Sequence, residues 1–507
     1  MKFLKKYHKW LAVVFTLFII LFSISGILLN HRELFSHLDI NRNYLPSDYQ
    51  AKNWNNAAVK STLKINRDTV FIYGNLGIWK TNSKFDHFQN FSTGLPSGID
   101  NQKIFSMIYT SKRELYAGTL FGLYQFNTQE QKWTLIPMPT HEKLVVDLIE
   151  KDGQLLVLLR SNLLIKTTNR DFKIIELPQP ENYDHKIGLF KTLWVIHSGE
   201  IYGTIGKLLV DLVGLIFIFL SVTGLIIFIN KYRIKNKRRK EKPAAKLRSI
   251  NLWNLIWHNK IGWTTVILLI ITTATGMFLR PPLLVAIAYA KVGKIPGTEL
   301  ASPNPWFDKL RRIAYDDENH RYLVATLDGI YYSDDEFQSN LKMFYYQPPV
   351  SVMGVNVFEK VATNTYLIGS FEGLFVWNPA SGLIWDYIKK EEYLRPTKIG
   401  PPIGDFLVTA YSDDFDGQEI VFDFDLGAIN INRGKTFPMQ SNEITEAYRM
   451  SLWNLALEIH TARFYKIFFG PFYILIIPIS GFVILFILVS GFLVWWKWHR
   501  KKNYKVH

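Results

Sequence analysis

Four stretches of this chain are long and apolar enough to cross a bilayer. They are LAVVFTLFIILFSISGILLNH (11–31), LVGLIFIFLSVTGLIIFIN (212–230), IWHNKIGWTTVILLIITTATGMFL (256–279) and IFFGPFYILIIPISGFVILFILVSGFLVWW (467–496). A hydrocarbon core of about 30 Å takes roughly 20 such residues as helix, and a lipid-exposed open strand or loop would leave backbone groups without partners. The fourth stretch is long and carries Pro471 and Pro478, which predicts a tilt or a kink. The segments between the stretches are polar. With 507 residues, 48% hydrophobic and 15% aromatic, the composition fits a few spans plus sizeable polar domains.

The net charge of +16 sits at the span ends. MKFLKKYHK, KYRIKNKRRKEKPAAKLR (231–248) and KWHRKKNYKVH together carry 19 Lys or Arg and one Glu, which leaves the rest of the chain at −2. Positive-inside topology accounts for this pattern, and nucleic-acid binding is not expected. Both termini are then cytoplasmic, and 32–206 and 281–458 face the other side. The first span resembles a signal peptide without a small-residue cleavage site, and reads as an uncleaved anchor. There is no cysteine, so disulfides, Cys-ligated zinc, iron–sulfur clusters and thiol catalysis are excluded.

The two halves of the chain match. YHKWLAVVFTLFIILFSISGILL aligns with WHNKIGWTTVILLIITTATGMFL, and His8 to Gly26 is eighteen residues, as is His258 to Gly276. That is about five turns and about 27 Å of helix. IHSGEIY (196–202) precedes the second span and IHTARFY (459–465) the fourth; the spans then carry Thr223-Gly224 and Ser490-Gly491. His197 to Gly224 is 27 residues and His460 to Gly491 is 31, a difference of about one turn. Parallel repeats of this kind predict a pseudo-twofold axis along the membrane normal.

The loops repeat on a shorter period. VFIYGNLGIWKTN (70–82), LYAGTLFGLYQFN (115–127) and LLVLLRSNLLIKTTN (155–169) recur as YLVATLDGIYYSD (322–334), YLIGSFEGLFVWN (366–378) and IVFDFDLGAININRG (420–434). Each reads as strand, turn and strand, at a spacing that suits a four-stranded blade. They resemble the regulator-type propeller repeats of sensor proteins. The expected fold is a mixed membrane protein: a four-helix transmembrane bundle plus an all-β extracytoplasmic domain, a six-bladed propeller built from two three-blade halves. The boundaries are 1–31 for helix 1, 32–193 for propeller half 1, 194–230 for helix 2 and 231–250 for a basic cytoplasmic linker. They continue with 251–280 for helix 3, 281–448 for propeller half 2, and 449–507 for helix 4 and a basic tail.

Six histidines stand at span edges: His8, His31, His197, His258, His460 and His499. A single one is as well explained by the amphipathic character of imidazole at an interface. Duplication changes this, because equivalent residues face each other across a pseudo-twofold axis. His8 would meet His258 at one side of the membrane, and His197 would meet His460 at the other. Two neutral imidazoles facing each other in a bundle core can ligate haem iron from both faces. His31 is a weaker candidate, since Pro281 occupies its equivalent position. Gly26, Gly224, Gly276 and Gly491 would leave room for a porphyrin plane, although small residues also let helices pack without a cofactor.

KKYHKW…SG at the first span and IHSGEIYGTIGKLL…TG at the second resemble the PepSY-associated transmembrane-helix family, which includes inner-membrane ferric-siderophore reductases and iron-regulated membrane proteins. The resemblance covers the spans and their approaches. It implies two b-type haems held by bundle histidines, and electrons passed outward to reduce iron(III). The second half departs from the pattern, with IHTARFYKIFFG in place of the Gly-rich IHSGEIYGTIG, and propeller-like repeats stand where PepSY domains would be.

Smaller signals are bland. YSDDFDGQE (411–419) does not have the ligand order of an EF-hand loop and reads as an acidic turn. NPWFDKLRR (304–312) reads as a short amphipathic helix, and RPPLLVAIAYAKVGKIPG (280–297) as a surface-lying segment anchored by Arg280 and Lys291. No GxGxxG, P-loop, GxSxG or HExxH occurs, so a cytoplasmic reductant or quinol must be the electron donor. The expected function is that of a bacterial inner-membrane di-haem oxidoreductase of the ferric-reductase type, embedded in the lipid bilayer, with a ferric chelate as acceptor. The alternative is a membrane-anchored propeller sensor or scaffold that binds a ligand or partner.

Overall fold

Among the described residues, nine helices follow from these patterns. They are α1 (Lys2–Asn30), α2 (Leu189–Ser198), α3 (Gly203–Arg239), α4 (Ala245–Met277), α5 (Leu283–Ile287), α6 (Asn442–Ala447), α7 (Leu452–His460), α8 (Lys466–Phe469) and α9 (Ile476–Asn503). They belong to a computed structural model that describes residues 1–503 except 168–170, 352, 395–403 and 432–436, with side chains described through Trp498. The ends of the repeats at 155–169 and 420–434, the side chain of His499 and most of the basic tail lie outside the described residues. Among those described, four helical stretches are long and apolar enough to cross a membrane: Lys2–Asn30, Glu200–Arg239, Ala245–Met277 and Arg463–Trp498. The chain divides into two compact units, one of 1–35, 185–302 and 453–507, the other of 36–184 and 303–452.

In the first unit, α1 packs against α3 and α9, and α4 packs against the same two helices. The arrangement follows the duplication, with α1 equivalent to α4 and α3 to α9. The expected helix over 194–230 is two helices. α2 ends at Gly199, which takes a left-handed conformation (φ 82°), and a Cβ there would lie 2.1 Å from the carbonyl oxygen of Gly206. Only a glycine pair allows that approach, which is the use of the Gly-rich approach sequence. In the second half Ala462 takes the left-handed conformation (φ 63°) two residues after His460.

The four-residue difference between the halves has a definite location. Gly203 (φ 57°, ψ −137°) and Gly470 (φ 52°, ψ −137°) share a backbone conformation that side chains disfavour. Each lies 21 residues before its span glycine, Gly224 or Gly491. The extra residues are therefore those of α8, one turn inserted ahead of Gly470. Pro471 is the second residue of the 3₁₀ segment Gly470–Leu475 that leads into α9, so the irregularity expected of the fourth span falls at its start.

The second unit is all-β but for α6 and short turns. Among the described residues, successive strands form six open antiparallel sheets. Sheet 1 holds Ser61–Asn66, Thr69–Gly74, Gly77–Thr81 and Gln89–Asn90; sheet 2 holds Ile104–Tyr109, Leu115–Thr119, Leu123–Asn127 and Lys132–Ile136. Sheet 3 holds Val145–Lys151, Gln154–Leu159, Leu163–Lys166 and Phe172–Ile175; sheet 4 holds Leu310–Asp316, Arg321–Thr326, Ile330–Ser333 and Lys342–Met343. Sheet 5 holds Val355–Ala362, Thr365–Ser370, Gly373–Trp377, Ile384–Asp386 and Glu391–Glu392; sheet 6 holds Val408–Phe415, Gln418–Asp423 and Gly427–Asn430. Each sequence repeat supplies a sheet's second and third strands. The first strand of each sheet packs against the first strand of the next, and that of sheet 6 packs against that of sheet 1.

Apolar clusters fill the space between neighbouring sheets. Trp54, Val70, Ile72 and Trp79 meet Phe415, Ile420 and Phe422 between sheets 1 and 6, and Leu156, Leu158, Ile313 and Val324 meet between sheets 3 and 4. The segment NPWFDKLRR is not a helix. Asn304 caps a turn by accepting from the Trp306 N–H, Trp306 is buried with its indole donating to the Pro178 carbonyl (2.7 Å), and Leu310 opens sheet 4. The Asn-Pro start favours that turn over a helix. YSDDFDGQE, expected as a turn, is mostly strand: 411–415 end the first strand of sheet 6, 418–419 begin the second, and only Asp416-Gly417 make the turn. Within 280–297 the chain forms α5 and the strand Lys291–Gly293, which pairs with Lys186–Gly188.

Glu359, on the first strand of sheet 5, yields a stability prediction. Burial pushes its carboxyl up to about 7, aided by Asp413, Asp414 and Asp147 and opposed by Arg312. The folded state therefore holds a proton that the unfolded chain releases near its ordinary value of 4.5. Stability contributed by this group is present below that value and falls as pH rises towards 7, by about 1–3 kcal/mol. Glu359→Gln is expected to raise the melting temperature at pH 8 and to change it little at pH 5. A variant no more stable than wild type at pH 8 would refute this.

Candidate functional site

Four histidines of the first unit share one kind of seat. His8 places Nδ1 3.0 Å from the Ile487 carbonyl oxygen, His197 2.9 Å from that of Thr272, and His460 3.0 Å from that of Phe22; the equivalent carbonyl beside His258 is that of Leu220. Each carbonyl belongs to the residue four before a span glycine: Gly491, Gly276, Gly26 and Gly224 in the same order. In an α-helix the carbonyl of residue i points towards residue i+4. A side chain there would cover it. The missing Cβ lets an imidazole reach a carbonyl that already serves the helix.

The contact is tight. A Cβ would come within 2.5 Å of His197 Cε1 at Gly276, 2.9 Å of His8 at Gly491, 3.1 Å of His460 at Gly26 and 3.3 Å of His258 at Gly224. The hydroxyl residue before the glycine joins in. Ser490 Oγ lies 3.2 Å from His8 Nδ1, Thr223 Oγ1 2.9 Å from His258 Nδ1 and Ser25 Oγ 3.1 Å from His460 Nδ1. Thr275 bonds back to the Ile271 and Thr272 carbonyls of its own helix. The sequence reading gave these glycines to porphyrin clearance; here each receives the edge of an imidazole.

These seats fix the chemistry of the ring. A carbonyl can only accept, so Nδ1 carries the proton, and a neutral imidazole then has its lone pair on Nε2. No hydrogen bond to any of the four Nε2 atoms occurs among the described residues. An anchored Nδ1–H with a free Nε2 is how proteins orient a metal-ligating histidine.

The four fall into two pairs. His197 and His460 have ring centroids 5.9 Å apart with planes at 48°. His8 and His258 are near enough to interact electrostatically. α1 serves both pairs, with His8 in one and the Phe22–Gly26 seat for the other; α4 does the same with His258 and Thr272–Gly276. The eighteen-residue spacing is thus the separation of two sites along one helix. His31 joins neither pair. Its Nε2 lies 2.6 Å from Asp211 Oδ2, and Asn30 donates to Asp211 Oδ1 (2.9 Å), which satisfies a carboxylate buried at the start of the apolar stretch of α3. No group of three or more His, Asp or Glu arranged to hold a bare metal ion occurs among the described residues. The four anchoring carbonyls could not be read from residue type, although the residue four before each paired glycine was there to be found.

The family model described as PepSY-associated TM region matches residues 7–498. The chain belongs to the PepSY-associated transmembrane family. Both His pairs and all four glycines of this PepSY-associated protein lie within the matched residues. No curated protein sequence matches it. Among solved structures, extracellular domains of regulatory systems from B. thetaiotaomicron are similar to it in part. A domain of the BT4673 hybrid two-component system has 10% identity and a TM-score of 0.36, and covers 73% of this chain and 32% of its own. A second BT4673 structure, described as a one-component system, has 12% identity, a TM-score of 0.37 and coverages of 77% and 35%. The domain of the BT3049 hybrid system has 12%, 0.33, 78% and 40%. The PepSY-associated protein thus spans less than half the length of each.

Proposed function

We propose that this protein is a di-haem b electron-transfer protein of a bacterial inner membrane, passing electrons from the cytoplasmic side to an extracytoplasmic ferric chelate. The observation that carries the reading is the twofold set of anchored histidines, each with its Nε2 lone pair free and a partner imidazole nearby. Two imidazoles that share one metal atom at about 2.0 Å have ring centroids roughly 6 Å apart; the separation of His197 and His460 is 5.9 Å. His8 and His258 would hold the inner haem, and His197 and His460 the outer one. Bound there, haem supplies one-electron redox chemistry at two levels of the bilayer.

The chain's own residues do the rest. Carbonyls and hydroxyls hold each ring in one tautomer, and apolar helix faces exclude water from the pairs. The basic patches at the span ends support cytoplasmic termini, and a cytoplasmic reductant or quinol would supply the electrons. The six sheets read as a six-bladed propeller on the extracytoplasmic side, supported by the way their first strands adjoin in sequence and sheet 6 adjoins sheet 1. That domain would position the chelate.

A reduced-minus-oxidised spectrum of the purified protein is expected to show b-type haem at about two per chain. Colourless protein that cannot be reconstituted with haem would overturn the reading and leave that of a membrane-anchored sensor or scaffold.

A further inference from the structure

Beside the His197–His460 pair the duplication breaks down in charge. Arg280 lies four residues after Gly276, the seat of His197, and Arg463 lies three after His460. Their counterparts in the other half are Asn30, four after Gly26, and Glu200, three after His197. Both counterparts are satisfied, Asn30 by Asp211 and Glu200 by Lys207 at 3.1 Å. Arg280 is not, and Arg463 is only in part. They are close enough to repel each other. Glu458 pairs with Arg463 and acts on Arg280 through space only. Arg280 makes no side-chain hydrogen bond or ion pair among the described residues. Arg463 Nε is buried with no hydrogen-bond partner, and so is the hydroxyl of Tyr465, on the same 3₁₀ turn.

Two guanidiniums facing one carboxylate, with a buried N–H left over, is a costly arrangement in a bilayer-level site unless a further anion completes it. Guanidinium forks match a carboxylate in both geometry and charge. We propose that Arg280 and Arg463 form a carboxylate-binding site one helical turn from the His197–His460 pair. This rests on the reading of that pair as a redox centre. Two carboxylates could fill the site: the propionate of a haem held by the pair, or a carboxylate of an incoming ferric chelate.

The test uses the full-length protein with Arg280→Gln, Arg463→Gln and the charge-retaining Arg280→Lys. If the carboxylate is the propionate, each Gln variant loses haem from one site or moves the midpoint potential of one haem to a lower value. The other haem stays unmoved and Arg280→Lys largely restores wild-type behaviour. If it belongs to the chelate, haem content and both midpoints stay as in wild type. KM for ferric citrate then rises about tenfold or more, as expected for a lost charge-assisted hydrogen bond, while KM for a neutral ferric chelate does not. Unchanged haem content, midpoints and KM for both chelates would overturn the proposal. Should wild-type protein hold no haem, the redox reading fails by itself. In that case a citrate-dependent rise in melting temperature that both Gln variants lose sustains the carboxylate site, and its absence in wild type ends it.

Discussion

On the proposed di-haem reading, His460→Ala is expected to halve the haem bound per chain, from about two to about one. The lost haem is that of the His197–His460 pair, whose rings stand 5.9 Å apart and have no third ligand group among the described residues. The haem of the His8–His258 pair is expected to remain, because its seats, at Ile487 and Leu220, share no residue with those of His460 and His197 at Phe22 and Thr272. His258→Ala is the mirror experiment and removes the other haem. Pyridine-haemochrome quantitation alongside a redox titration separates these outcomes. Loss of both haems from either well-folded variant, or of neither, would rule out the pairing.

The second large effect comes from a residue that ligates nothing. Gly276→Val is expected to displace His197 and so, on the same proposed reading, to cost the haem of the His197–His460 pair as fully as loss of the ligand does. Even a bare Cβ at Gly276 would stand 2.5 Å from His197 Cε1 and 2.8 Å from Nδ1, closer than real contacts allow. The ring would have to leave its carbonyl, and overpacking of this kind costs about 1–3 kcal/mol or more. Gly224→Ala is the control. There the Cβ would be 3.3 Å from His258 Cε1, a distance that a small shift of the ring relieves. Near-normal haem in Gly224→Ala with loss in Gly276→Val is the expected pattern; full haem occupancy in Gly276→Val would show that the seat is dispensable.

The comparison of sequence and structure is instructive at particular residues. The spans, the duplication and the candidate pairs were legible, because span length and repeat spacing are local properties that the chain displays in order. The spacing of His8 and Gly26 was legible too, but its meaning was not. Read along the sequence it joins a histidine to a glycine; in the bundle the two serve different pairs, and Gly26 belongs with His460. NPWFDKLRR has the periodicity of a helix, yet the Asn304 cap and the burial of Trp306 make it a turn. His31 has the residue type of a ligand, yet it stands in hydrogen-bond contact with Asp211.

By itself the sequence determined that four helices could cross a membrane, that each half repeats the other, that the polar segments are built of strand pairs, and which histidines occupy equivalent positions. Hydrophobic period, charge distribution and repeat spacing carry that information. Only the tertiary structure decided which backbone carbonyl holds each imidazole, that the glycines are seats for those rings, and that Arg463 keeps a buried Nε without a hydrogen-bond partner. Every residue has a carbonyl, and no local pattern tells which one a distant side chain will reach. That choice is made when helices pack, where a missing Cβ opens one approach and a present one closes the rest.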